Sequence, residues 1–135
     1  MLPESLKVGE LKMRIVVASQ GLKGLEDVVS QVFGRSPTFT FIDVEDGRVK
    51  KCKAEKNSLA GAPHGAGPLT CARLSKLGVE VVVAANFGPT VSAILKEAEI
   101  EMITVKPGIK VEDAIQQYLK TFKASTSLPT LEADK

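Results

Sequence analysis

A chain of 135 residues with 44% apolar side chains sits near the commonest size of one domain, and its composition builds one core rather than two. Eighteen Lys and Arg against sixteen Asp and Glu leave a formal charge of +2, and aromatic residues are only 4%, which argues against a nucleic-acid-binding surface. The longest apolar run, Val79 to Ala85, is interrupted by Glu80 and falls far short of the roughly 20 residues a membrane span requires, so a soluble chain is expected.

Residues 1–12 contain a proline and two glutamates and no apolar stretch of the secretory type. They read as an N-terminal extension, with Met13 a candidate internal start. The two cysteines, Cys52 and Cys71, in a chain with no export signal point to reduced thiols and a cytoplasmic location rather than a disulfide framework.

The first strong strand is Met13 to Ala18, apolar almost throughout, as expected for a strand covered on both faces in the centre of a sheet. Ser19 to Ser36 contains Gly21, Gly24 and Gly34 and reads as a long loop with one short helical turn near Glu26 to Val32. Thr38 to Val44 begins with strand alternation, and Asp46-Gly47 supplies the positive φ angles of a tight hairpin. The returning segment, Arg48 to Lys53, carries Lys50, Lys51 and Lys53 and suits a sheet edge, where charge discourages pairing with another molecule.

From residue 66 strands and helices alternate. The pattern predicts a helix from Pro68 to Gly78 with an apolar stripe of Leu69, Ala72 and Leu77, a strand over Val79 to Ala84, and an amphipathic helix opened by Pro89 and carrying Val91, Ile94, Leu95 and Ala98. A strand over Glu101 to Val105 follows. The last helix places Val111, Ala114, Ile115, Tyr118 and Leu119 at helical spacing. The tail, 121–135, is rich in Ser, Thr and Pro, lacks such a face and is expected to be disordered.

Two strand–helix–strand units predict parallel pairing, and the hairpin predicts an antiparallel neighbour for the first strand. The expected fold is a single α/β domain over 13–120, a mixed five-stranded sheet flanked by helices. Ligands of such sheets bind beyond the carboxyl ends of the parallel strands. Those ends are Ser19 onward, Ala85-Asn86-Phe87-Gly88 and Lys106-Pro107-Gly108.

Gly61 to Pro68 packs three glycines, two prolines and the one histidine just before a helix. Gly65 and Gly67 would let backbone approach a ligand, and a helix start offers unpaired N–H groups to an anion; a plain flexible connection explains the same composition. His64 is a candidate metal or anion contact, weighed against a solvated loop residue. Cys71, one turn inside the helix, offers a soft thiolate for iron or a cluster, weighed against core packing. Phe87-Gly88-Pro89 repeats the arrangement of strand end, glycine and helix start. The spacing matches neither nucleotide-binding glycine motif, and no acidic cluster, CxxC or HExxH is present, so no enzyme is expected.

Met13-Arg14-Ile15-Val16-Val17-Ala18-Ser19, Val32-Phe33-Gly34-Arg35-Ser36-Pro37-Thr38-Phe39, Gly65-Ala66-Gly67-Pro68, Leu77-Gly78-Val79-Glu80-Val81-Val82-Val83 and Phe87-Gly88-Pro89, in this order and spacing, resemble the dinitrogenase iron-molybdenum cofactor biosynthesis family. The resemblance spans about residues 13–120. It implies a ribonuclease H-like topology without nuclease chemistry, and a role in holding iron-molybdenum cofactor or its iron-sulfur precursor. The family often carries histidine directly before Phe-Gly-Arg, where this chain has Val32, and glycine before the third parallel strand, where it has Glu99. His64 then becomes the best ligand candidate, with Cys71 beside it and Gly34, Arg35, Phe87 and Gly88 completing the rim, Arg35 as a cation for an anionic guest. Two other classes compete: a module for a small anion or nucleotide using the same helix starts, and a regulatory domain contacting a protein partner through Gln20 to Ser36.

Overall fold

A computed structural model of the protein describes residues 12–62 and 64–120. The expected extension lies almost wholly, and the expected disordered tail wholly, outside them. The strands are β1 (Lys12–Ser19), β2 (Thr38–Glu45), β3 (Arg48–Lys56), β4 (Val81–Ala84) and β5 (Glu101–Thr104), with helices α1 (Ala66–Lys76), α2 (Pro89–Glu97) and α3 (111–120). They form one five-stranded sheet in the order β3-β2-β1-β4-β5. β1 lies antiparallel to β2, and β4 and β5 run parallel to it.

Alternation along β1 builds two cores at once. Val16 and Ala18 face Phe39, Leu74, Val82, Val91 and Leu95 beneath α1 and α2. Ile15 and Val17 face Ile42, Val83, Val111, Ala114 and Ile115 beneath α3. A strand with a covered layer on each side must be apolar at every position, which is why Ile15 to Ala18 is completely buried.

The hairpin turns at Asp46 (φ 57°) and Gly47 (φ 74°), the left-handed pair that a two-residue connection needs. A bulge between Asp43 and Val44 shifts the register, so that Asp43 faces Lys51 and Val44 faces Val49. β3 is the edge strand and runs three residues beyond the expected end.

Two expectations are corrected. The helical turn of the long loop is a single 3-10 turn at Gly24–Glu26; Val28 and Val29 instead form isolated β-bridges to Lys110 and Ser19. Helix α1 begins two residues before Pro68, and its buried positions are Ala66, Thr70, Cys71 and Leu74, whereas Leu69 is 54% exposed. Thr70 obscured this stripe in the sequence: it reads as polar, yet it is buried and its Oγ1 donates to the carbonyl of Gly34 at 3.5 Å.

Long polar side chains tie α1 to the sheet. Arg14 grips the Asp43 carboxylate with Nε and Nη2, at 2.7 and 3.2 Å, and donates through Nη1 to the Leu77 carbonyl past the end of α1. Arg73 pairs with Glu55 at 2.7 Å and stands over the Phe41 ring, 5.9 Å from its centroid.

Candidate functional site

Pairing alone decides where the connections gather. Ser19, the end of β1, faces Thr38, the start of β2, and Thr38 faces Lys56, the end of β3. The long loop 20–37 and the glycine loop 57–65 therefore leave from one edge. β4 and β5 share the direction of β1, so 85–88 and 105–110 emerge there too. All four connections line one rim, at the carboxyl ends of the parallel strands.

The long loop is the hub of this rim. Ser30 donates its amide to the Ala18 carbonyl at 2.8 Å, and the Ser30 carbonyl accepts from Ala85 at 3.3 Å. The Val29 carbonyl accepts from Gly108 at 3.0 Å, and the Val29 amide donates to Ile109 at 2.8 Å. At the mouth of β1 the buried hydroxyl of Ser19 bonds to those of Thr38 and Thr40, Ser19 Oγ lying 2.7 Å from Thr38 Oγ1 and 2.9 Å from Thr40 Oγ1. Ser36 Oγ adds bonds to the carbonyls of Ser19 and Thr38. Such a buried hydroxyl network fixes the angle at which the loop departs. An open cleft of ≈ 560 Å³ lies along it, lined by residues that include Gln31, Val32, Pro37 and Pro107.

Gly34 and Gly67 touch backbone to backbone: a Cβ added to Gly34 would sit 3.1 Å from Cα of Gly67. Gly67 also meets Val91 of α2, whose Cγ2 would lie 2.8 Å from a Cβ at Gly67. Phe33 stacks at a tilt on Phe87, with centroids 5.3 Å apart. The Phe-Gly-Arg segment, the start of α1 and the Phe87-Gly88 connection are thus one packed unit, as the sequence placed them.

Both helices present bare N-termini to this unit. Gly65 caps α1 with φ 72° and Gly88 caps α2 from extended backbone; neither start has a side-chain cap or an acidic residue in its first turn. Uncapped first-turn amides carry the positive end of the helix dipole. The connections add Lys23, Arg35, Lys106 and Lys110 against Glu26 and Asp27, and the Asp27 carboxylate is already taken by the amides of Lys23 and Val28. The rim is electropositive and suits an anion.

The individual candidates separate. His64 is exposed, in the glycine loop directly before Gly65. Cys71 is a correction: it is 2% exposed within the core beneath α1, and burial pushes its thiol up, away from the thiolate a metal needs. It packs in the core beneath α1. Cys52 lies in mid-strand on β3, opposite Ile42, and burial raises its thiol as well. No group of three or more His, Cys, Asp or Glu that could hold a metal ion occurs among the described residues.

Arg35 donates through Nη1 to the carbonyls of Ala60, at 3.1 Å, and Ala62. Asn57, which the sequence reading passed over, answers from the opposite side: Nδ2 donates to the carbonyls of Gly34 at 3.1 Å and Ser36 at 2.9 Å, and Oδ1 accepts from the Leu59 amide at 3.0 Å. An Asn whose side chain bonds two residues on is an Asx turn, and Asn57-Ser58 just after a strand was the available signal.

A sequence profile described as dinitrogenase iron-molybdenum cofactor matches residues 12–121, a span that takes in every described residue. The chain belongs to this family. Among solved structures, the family fold is shared with the apo form of the orange protein from Desulfovibrio gigas, at 26% identity over 83% of this chain and 91% of that one, TM-score 0.72. A Thermotoga protein described as a candidate NifB matches at 32% identity over 80% of this chain and 88% of that one, TM-score 0.64. An uncharacterised protein of Methanocaldococcus jannaschii is 23% identical over 115 residues, covering 85% of this chain and 91% of its own. No helix among the described residues is long and apolar enough to cross a membrane.

Proposed function

We propose that this family member is a non-catalytic carrier that holds an iron-sulfur or iron-molybdenum cofactor, or a precursor of one, on the rim around Gly34, Gly67 and Gly88. One observation carries the reading: two uncapped, acid-free helix starts converge on a single glycine contact in a chain of the iron-molybdenum cofactor family. Metal-sulfur cofactors of this kind are large anions, and backbone amides suit them because they stabilise charge without forming covalent bonds to the metal. With Cys71 buried, His64 is the remaining metal ligand of the candidate set, and one imidazole is a tether that can be released. A carrier needs that property: retention by many weak contacts and transfer without breaking a full ligand set. The apo form described for the orange protein supports a fold that takes up and gives up a guest.

The test is anaerobic incubation of the full chain with ferrous iron and sulfide, or with isolated iron-molybdenum cofactor, followed by gel filtration and visible absorption. The native protein is expected to carry the chromophore through the column, with His64→Ala losing it faster and Cys71→Ala, if folded, keeping it. A native protein that emerges colourless sinks the carrier reading. The same bare helix starts suit a small oxyanion bound without metal. Thermal stabilisation by molybdate or phosphate without retention of any metal cluster would favour that second reading, since a ligand stabilises the state it binds.

A further inference from the structure

Arg35 has the charge expected of a contact to an anionic guest, yet its guanidinium is directed into the protein's own backbone. Nη1 spans the carbonyls of Ala60 and Ala62, and Asn57 ties the same loop back to Gly34 and Ser36. The Asn57 amide adds a bond to the Pro37 carbonyl at 3.0 Å. Every one of these bonds runs from one loop to the other. The Phe-Gly-Arg turn and the glycine loop are therefore cross-linked in both directions, and Thr70 and Gly67 of α1 close the triangle on Gly34.

We propose that Arg35 is a positioning residue, a clamp that holds residues 57–62 against the 33–37 turn and so sets where His64 and the first amides of α1 stand. Ala62 is two residues before His64 and three before the cap of α1, so fixing its carbonyl limits where both can go. The glycine loop contains Gly61 and Gly65, which would otherwise leave it free to sample many backbone states. Both bonds leave the one nitrogen, Nη1, whose two N–H groups are fixed in direction by the guanidinium plane, whereas a lysine ammonium is a freely rotating point charge. In its consequence for guest binding the clamp rests on the carrier reading; as a statement about the loop it does not.

The experiment compares full-length wild type with Arg35→Lys, Arg35→Ala and a control, Tyr118→Phe, which loosens a hydrogen bond between α3 and β5 away from the rim. Three readouts are taken: hydrogen exchange of the Ala60 and Ala62 amides, the Cε1–H resonance of the single histidine, and retention of the chromophore after anaerobic iron and sulfide. The two amides donate to the Asn57 and Leu59 carbonyls within the loop and exchange when the loop opens. Loss of the charged donor that holds the loop is expected to ease that opening and raise exchange at both about tenfold. It should also shift the His64 resonance and speed guest loss by a similar factor, in Arg35→Lys as in Arg35→Ala. The control should leave both amides and the resonance unchanged. If Arg35→Lys behaves as wild type in exchange and retention, Arg35 is a charge contact and the clamp is overturned; unchanged exchange in Arg35→Ala overturns it equally. A wild type that binds no chromophore removes the carrier reading alone, and exchange and resonance still decide the clamp.

Discussion

A methyl group added at Gly67 would come within 2.8 Å of Cγ2 of Val91, and a β-branched side chain packed against a helix has little rotamer freedom to withdraw. Gly67→Ala therefore has to push α1 away from α2 or from the Gly34 turn. Overpacking of this size costs about 1–3 kcal/mol, against a gain of at most about 1 kcal/mol from alanine in a helix. A net loss of stability is expected by urea denaturation. The second change Val91→Ala should be less harmful in that background than alone, giving a coupling energy of opposite sign in a double-mutant cycle. Simple additivity would show that the two helix starts do not meet as described. Cys71 belongs to the same scale: its residue type suggested a ligand, and only its 2% exposure makes it core.

Among the elements, α1 is the one whose sequence misled. Its leucines are Leu69 and Leu74, with Leu77 at its C-terminal cap, and the stripe read from Leu69 and Leu77 points the helix the wrong way. Leu74 is fully buried, whereas Leu69 and Leu77 are 54% and 37% exposed. The reason is the company on the buried face: Thr70 is polar by type, but its hydroxyl is satisfied by the Gly34 carbonyl, a partner 36 residues away that no local window contains. Leu74→Ala should cost about 2–5 kcal/mol by cavity formation, while Leu69→Ala should stay within roughly 0.5 kcal/mol as a surface change. Chemical denaturation of the two variants decides between the two faces, and equal losses would restore the original stripe. The elements with regular periodicity needed no such correction. β1 is apolar because both its faces are covered, α2 opens at Pro89 as its fixed φ dictates, and the Asp46-Gly47 turn has the left-handed angles its residues favour.

For the molecule as a whole, stability should fall at both ends of the pH range for separate reasons. The Arg14 guanidinium holds the Asp43 carboxyl below its usual range, and Arg73 does the same for Glu55. A lowered carboxylate pKa contributes stability that is full above its unfolded value, near 4, and is lost as pH falls through the folded value. Asp43→Asn should therefore flatten the fall in urea midpoint between about pH 5 and pH 3. Tyr118 acts in the opposite sense. Burial first, then the neighbouring Glu101 carboxylate, push its phenol up to about 12. Its contribution is full below the ordinary tyrosine value of about 10 and is lost as pH climbs through the folded one. The chain has one tyrosine and no tryptophan, so phenolate absorbance reports this group alone, and a midpoint near 10 would remove the effect.

The order of strands and helices, the hairpin, the two-faced central strand and the family were all legible in the sequence, because periodicity, turn chemistry and motif spacing are local properties. The gathering of four loops at one edge was also implicit, since parallel and antiparallel directions follow from the length of each connection. Side-chain destinations were not. Whether a cysteine packs or binds, which stripe of α1 is inward, and whether Arg35 faces a guest or its own backbone depend on partners 20 or more residues away. Only the folded chain brings those partners together, since a side chain's role is set by the nearest atoms rather than the nearest residues.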